Sequence, residues 1–322
     1  MKKLDVKDYL LLDILGEGSR KSHAKMAKQL KMHKNSVLYR IKRLKKMKIL
    51  QRFSLIPGFA AMGKNTFYVF FRLRVSDEEK EEVYSYLKTH PLAMEVLRLS
   101  GKWNIMIELV CDDIHHFNEE LAGISGHLGS KLSDYKTILL YMPYKVDASI
   151  NFEKDYVEEP FKPPKQAARL DPLDRKIVGL LSDNSDLSYN ELAEKAKTTA
   201  DTAFYRVKKL IDEGVIRKFV PIVDLEKIGF QNYIILLKLS DVSEDKFDSL
   251  REYLVNNRSI NFTFRTAGEL GVVIFCAYKT NWNLDDFLTN LVSSFGDIVR
   301  EQEVLIISET LKFDYFPRGL RS

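Results

Sequence analysis

Cysteine is nearly absent. Cys111 and Cys276 are the two in 322 residues, and neither has a second Cys or a His at zinc-ligand spacing. A disulfide framework and a thiolate metal site are therefore excluded, and both thiols, set in apolar strand-like runs, are expected to be buried. Long apolar stretches are absent too: nothing approaches the roughly 18 uncharged residues of a membrane span. The opening residues, Met1-Lys2-Lys3-Leu4-Asp5, lead straight into charged amphipathic sequence without the apolar region of an export leader. A cytoplasmic chain with no membrane partner is the expectation. A phosphate-binding glycine loop and a dinucleotide fingerprint are missing as well. No cofactor, no metal and no catalytic residue is expected, and the chain reads as non-enzymatic.

What is present is ordinary core-forming material, 45% hydrophobic and 30% charged, in a chain too long for one core. Its organisation is a tandem repeat. At an offset of 166 positions, residues 4–75 align with 170–241 without a gap. The matched pairs include Leu4/Leu170, Asp5/Asp171, Asp8/Asp174, Leu15/Leu181, Ser22/Ser188, Ala27/Ala193, Tyr39/Tyr205, Arg40/Arg206, Leu44/Leu210, Phe53/Phe219 and Gly63/Gly229.

Each copy changes pattern once. Leu11, Leu12 and Leu15, then Met26, Ala27 and Leu30, then Val37, Ile41 and Leu44 fall on single helical faces, so the opening predicts three helices and a short strand. Ser22 and Ser188 stand at N-cap positions, Ser188 with the Glu191 of a capping box. Beyond Gly63 the order becomes strand (66–75), helix (77–89), strand (94–99), strand (105–111), helix (114–128), strand (133–142). That βαββαβ order is the ferredoxin-like arrangement, a four-stranded antiparallel sheet with two helices on one face. The predicted class is α+β: two winged helix-turn-helix domains (1–56 and 169–222) alternating with two ferredoxin-like domains (57–147 and 223–316). A stiff linker (148–168) carrying Pro160, Pro163 and Pro164 and a tail (317–322) complete the chain.

The third helix of each opening unit carries the functional signal. With Val37, Ile41 and Leu44 turned inward, Lys34, Asn35, Ser36, Tyr39, Lys42 and Arg43 point outward, with Arg40 at the border. Asn suits adenine, Lys suits guanine, and further Lys and Arg neutralise phosphates of double-stranded DNA. The matching candidates in copy two are Thr202, Tyr205, Arg206, Lys208 and Lys209. Charge separates the copies. Residues 1–56 hold 16 Lys+Arg against 4 Asp+Glu, whereas residues 170–222 hold 9 against 9. The net +5 of the chain thus conceals a first domain of +12. Nonspecific affinity for a duplex grows with the phosphates neutralised, so copy one is expected to be the main reader. In copy two, Asp201 replaces Asn35, where it would favour the helix dipole and repel phosphate.

These pieces resemble the Lrp/AsnC family of transcriptional regulators. They are Leu4-Asp5 with Asp8 and Leu170-Asp171 with Asp174; Met26-Ala27 and Leu192-Ala193; Tyr39-Arg40-Ile41-Lys42-Arg43-Leu44 and Tyr205-Arg206-Val207-Lys208-Lys209-Leu210. The resemblance implies winged helices for DNA, ferredoxin-like domains for assembly, and a small-molecule effector. Self-association is implied through the sheets, within one chain or between chains. Two departures stand out. His33 replaces a Ser or Thr cap at the third helix of copy one, where copy two has Thr199. The family's Gly-x-x-Asp effector loop reads Gly101-Lys102-Trp103-Asn104 and Gly268-Glu269-Leu270-Gly271, without the Asp. Gly101, Trp103, Asn104, Gly268 and Gly271 are the effector candidates, with a turn-making role for Gly101 and Gly268 preferred.

Siroheme decarboxylases resemble this family too. A tetrapyrrole enzyme would need convergent groups from among His90, Arg98, His115, His116, His127 and Arg265, yet His115 and His116 open an amphipathic helix at the surface. A protein-interaction scaffold is a further alternative, against which the basic first domain argues.

Overall fold

The computed structural model describes residues 4–147, 166–240, 243–267 and 270–321. The proline-bearing linker expected over 148–168 lies outside them, apart from its last three residues. Copy one opens with α1 (Val6–Glu17), α2 (His23–Leu30) and α3 (Lys34–Lys46), followed by β1 (Leu50–Pro57). Its ferredoxin-like part comprises β2 (Asn65–Leu73), α4 (Asp77–Thr89), β3 (Ala93–Ser100), β4 (Ile105–Cys111), α5 (Ile114–Leu128) and β5 (Leu132–Val146). Copy two repeats the order as α6 (Pro172–Asp183), α7 (Tyr189–Ala196), α8 (Ala200–Asp212) and β6 (Ile216–Val223), then β7 (Gln231–Leu239), α9 (Glu244–Asn256), β8 (Ile260–Ala267), β9 (Val272–Tyr278), α10 (Asn281–Phe295) and β10 (Val299–Phe313). No helix among the described residues is long and apolar enough to cross a membrane.

The helix starts follow from their caps. Asp5 accepts from the Asp8 N–H at 2.9 Å while Asp8 accepts from the Asp5 N–H at 3.0 Å, and Asp171 and Asp174 repeat that box on α6. Ser22 caps α2, and Ser188 with Glu191 makes the predicted box on α7. Each device satisfies N–H groups that the first helical turn leaves without partners.

Each copy's strands form an antiparallel sheet, ordered β5-β2-β4-β3 and β10-β7-β9-β8, and the two sheets close on each other into an eight-stranded barrel. β5 pairs with β8, from Leu139 opposite Ala267 to Val146 opposite Phe262, and β10 pairs with β3. This explains why β5 runs past the expected end at 142: its last part finds hydrogen-bond partners in the other copy. Closure leaves no exposed strand edges. Side chains alternate along the strands. Phe67, Val69, Phe71, Ile107 and Leu109 face outward against α4 and α5, and Ile235, Leu237 and Ile274 face α9 and α10. Phe70, Leu97, Leu99, Met106, Leu236, Val273, Leu305 and Ile307 fill the barrel. Each such fully buried side chain contributes roughly 1.5–3 kcal/mol.

The strand that follows each third helix pairs across the two copies. β1 and β6 pair antiparallel with each other, with Ser54 opposite Val220, and make a two-stranded sheet across the pseudo-dyad. Each helical unit also packs on the other copy's strand: the Ser19 N–H donates to the Phe219 carbonyl at 2.8 Å, and the Ser185 N–H to the Phe53 carbonyl at 3.1 Å. A lone strand would leave its N–H and C=O groups unmet, and the repeat supplies their partner.

Candidate nucleic-acid interface

Helix α3 turns Val37, Ile41 and Leu44, all buried at i, i+4 and i+7, into the core it shares with α1, α2 and β1. That spacing holds one face in the core and turns Lys34, Asn35, Ser36, Tyr39 and Lys42 into solvent, with Tyr39 63% exposed. His33 performs the cap with its ring: Nδ1 accepts from the Asn35 N–H at 3.3 Å. The last turn carries Arg43, Lys45 and Lys46, favourable at the negative end of the helix dipole.

Two of the expected DNA contacts are already paired with carboxylates. The Arg40 guanidinium lies 2.7 Å from both Asp5 and Asp8, and Arg43 pairs with the same Asp8 carboxylate, which has no exposed surface. These pairs clamp α3 to the N-terminus of α1. Burial works against ionisation of Asp5, but the Arg40 hydrogen bond and charge hold its carboxyl below the ordinary range. Arg40 and Arg43 are thus engaged before any duplex arrives.

Copy two builds the same frame with different outward chemistry. Ala203, Val207 and Leu210 face inward on α8, Thr199 caps it, and Tyr205 is 68% exposed beside Phe204 and Lys208. The Thr202 hydroxyl is hydrogen-bonded to Thr199 at 2.8 Å. Arg206 lies 2.5 Å from Asp171 and 3.0 Å from Asp174, and Lys209 lies 3.3 Å from Asp174. The clamp is therefore duplicated, and it accounts for the repeated Asp5/Asp171, Asp8/Asp174 and Arg40/Arg206 pairs. That repetition of acid and base was the available signal that Arg40 and Arg206 are structural. Asp201 is exposed in the first turn.

The loop candidates are mostly barrel parts. Gly101 has φ +136°, outside the range comfortable for other residues, and a Cβ there would meet Leu305 at 3.1 Å. Trp103 is buried in the barrel interior. Asn104 accepts the Leu73 N–H through its side chain at 2.6 Å and donates its own N–H to the Phe71 carbonyl. Gly271 lies so close to Leu239 that a Cβ would collide at 2.4 Å. Gly268 lies outside the described residues.

Of the residues a tetrapyrrole site would need, His90 and His116 meet on one carboxylate and the others lie apart. His90 is buried at the end of α4 and lies 3.0 Å from Glu120, which also meets His116 at 3.4 Å. His127 stacks on Tyr86 at 3.6 Å, Arg98 is paired with Glu309, Arg265 with Glu244, and His115 is exposed. Both cysteines are buried, and desolvation raises both thiols, Cys111 to about 12. No metal-ligand cluster occurs among the described residues.

The chain has sequence relatives among transcription regulators. A winged helix-turn-helix DNA-binding family model matches residues 170–217. An HTH-type transcriptional regulator from Pyrococcus furiosus is 42% identical over 146 residues, covering 45% of this chain and 97% of the relative. One from Pyrococcus horikoshii is 32% identical over 149 residues, again with 45% and 97% covered. The chain belongs to the Lrp/AsnC family of DNA-binding transcription regulators. Each of these relatives is spanned almost whole by less than half of this family member, consistent with its tandem duplication. Over its full length the chain is similar to the crystal structure of the siroheme decarboxylase NirDL, with TM-score 0.63, 13% identity, and 98% of this chain and 96% of that one covered. The complex of that enzyme with an iron-uroporphyrin III analogue gives TM-score 0.64. This corrects the expectation of a non-enzymatic chain. The architecture of the entire Lrp/AsnC double unit is one that an enzyme also uses, so a non-enzymatic reading finds no support in the fold.

Proposed function

We propose that this regulator reads double-stranded DNA chiefly through its first helix-turn-helix, with Lys34, Asn35, Ser36, Tyr39 and Lys42 presented to the duplex. The observation that carries the reading is the coincidence of bare polar side chains along α3 with the +12 charge of residues 1–56. Arg40 and Arg43 act by fixing the helix. In the second unit Thr202, Tyr205 and Lys208 make a weaker contact, because residues 170–222 are neutral and Asp201 repels phosphate. With two unequal third helices in one chain, the preferred operator is asymmetric. Gly101, Trp103, Asn104 and Gly271 serve barrel packing in this reading, and domains 1–56 and 169–222 are the two DNA-facing units.

The test is selection of duplexes from a random pool, then binding at several salt concentrations. Lys34→Ala/Asn35→Ala/Lys42→Ala is expected to weaken binding about 100-fold and to lower the salt slope by about two. Thr202→Ala/Tyr205→Ala/Lys208→Ala is expected to cost less than about fivefold. Equal losses from the two sets would overturn the assignment of the main reader. An unenriched pool would remove sequence-specific reading altogether.

A further inference from the structure

The two halves of the barrel interior are not alike at the end that faces the helix-turn-helix units. In copy one, Tyr68, Glu108 and Glu95 stand side by side across β2, β4 and β3, with Glu108 opposite both Tyr68 and Glu95. In copy two the corresponding trio across β7, β9 and β8 is Ile234, Phe275 and Phe262. The acidic trio lies on the barrel-facing side, in line with Phe70, Met106 and Leu97. Tyr68 meets Phe275 at 5.4 Å and Phe264 at 6.2 Å between ring centroids. Tyr315, buried in the segment after β10, closes this end, and Phe313 lies 4.5 Å from its ring and opposite Glu95.

Tyr68, Glu108 and Tyr315 are only 3–4% exposed. None of the three has a hydrogen-bond or ion-pair partner among the described residues, and neither does Glu95, which is half-buried beside them. Burial raises the carboxyls, Glu95 to about 8 and Glu108 well above its ordinary value with Glu95 adding to it. Burial and then the two carboxylates raise Tyr315 likewise. The cations nearest this end are committed elsewhere. Arg52 donates to the carbonyls of Ser182 and Phe313, Lys145 to the Asn257 carbonyl, and Lys218 pairs with Asp147 at 3.6 Å. Buried polar groups ordinarily find partners, and buried carboxylates ordinarily find a cation.

We infer that this end of the barrel is a binding site for a small organic cation, an aliphatic amine or diamine, held by Glu95 and Glu108 and enclosed by Tyr68, Phe264, Phe275 and Tyr315. The carboxylates supply charge and hydrogen-bond acceptors, and the aromatic faces supply the cation–π attraction that favours ammonium groups. An anion would meet two carboxyls without a compensating base. The ligand enters as an ammonium ion, so each carboxyl that ionises to meet it releases one proton to solvent. The binding step is independent of which helix reads DNA.

The test is calorimetric titration of the full chain at neutral pH with 1,4-diaminobutane and n-butylamine, with sodium butyrate as the anionic control. Saturable amine binding is expected, with heats that vary with the ionisation heat of the buffer because protons are released. Glu95→Gln/Glu108→Gln should weaken it by about tenfold or more, and Tyr68→Phe by less. Removing the two acids should leave the ligand-free melting temperature unchanged or higher, which separates lost binding from lost folding. If the double variant does not fold, the single Glu108→Gln variant and the proton release of the wild type decide. No amine binding up to about 10 mM, equal binding of butyrate, buffer-independent heats, or unweakened binding by the Gln variants would each overturn the inference.

Discussion

The two helix-turn-helix units share a frame and differ in what surrounds it. The first has a core of its own, Leu11 through Phe53, joined from copy two by Val223 and Ile228. The second is fused into the largest core of the molecule, where Ile177, Val178, Leu192 and Val207 share a cluster with Val83, Leu87, Leu92, Phe316 and Leu320 of the first ferredoxin-like layer and the tail. Arg321 locks that tail, pairing with Asp183 and Asp314 at 2.8 and 2.9 Å. The anchored unit is electrically neutral, and the separate one carries the positive charge. Duplication lets one copy take on holding while the other keeps a bare, basic helix turned outward.

The anchor is where the comparison breaks most easily. Phe316 is fully buried between the second unit and the first barrel half, and Phe316→Ala is expected to cost about 4 kcal/mol. Chemical denaturation checks the magnitude, and amide exchange checks the place: α6 should exchange faster while α1 to α3 keep their protection. Equal loosening of both units would mean that the first is no more separate than the second.

The clamps sharpen the comparison at a smaller scale. Asp8 serves two guanidinium groups, whereas Asp174 serves Arg206 and a Lys209 side chain that is 41% exposed. Asp8→Ala leaves two largely buried cations without their shared partner and should cost about 3 kcal/mol, against about 2 kcal/mol for Asp174→Ala. Urea denaturation of both variants measures the difference, and a larger loss from Asp174→Ala would reverse the ranking.

Much of this was legible in the sequence because it is local or periodic. The repeat, the order of strands and helices, and the inward faces of α3 and α8 follow from spacing alone. The sorting of Arg40 and Arg43 from Lys42 was not, since all three are basic residues on one helix and proximity to Asp8 separates them. The pairing of β1 with β6 and the closure of β5 on β8 join residues far apart in sequence. The same closure buries Glu108 and half-buries Glu95 beside it, which in a linear reading are single charges within apolar strands. The likeness to siroheme decarboxylases was within reach of the sequence, but scattered His and Arg gave it little weight, and the whole-chain architecture shared with a decarboxylase overturned the non-enzymatic reading.

The last comparison sets the two barrel halves against each other and depends on pH. Glu95 and Glu108 have raised values in the folded chain, Glu95 at about 8, against an ordinary 4.5. Between those values the folded state binds more protons than the unfolded one, so stability must fall as pH rises from about 4.5 to about 8. Below that window both states hold the protons and the penalty vanishes. Glu108→Gln removes one contributor and should raise stability towards pH 8 while changing little at pH 4.5. Phe275, the residue at the matching position of copy two, has no proton to lose, so Phe275→Leu should shift stability equally at both pH values. Thermal unfolding of the two variants across this range reads the slopes directly. A Glu108→Gln variant with the wild-type pH slope would show that the carboxyl meets water as readily as one on the surface, and the asymmetry of the barrel interior would then be one of shape alone.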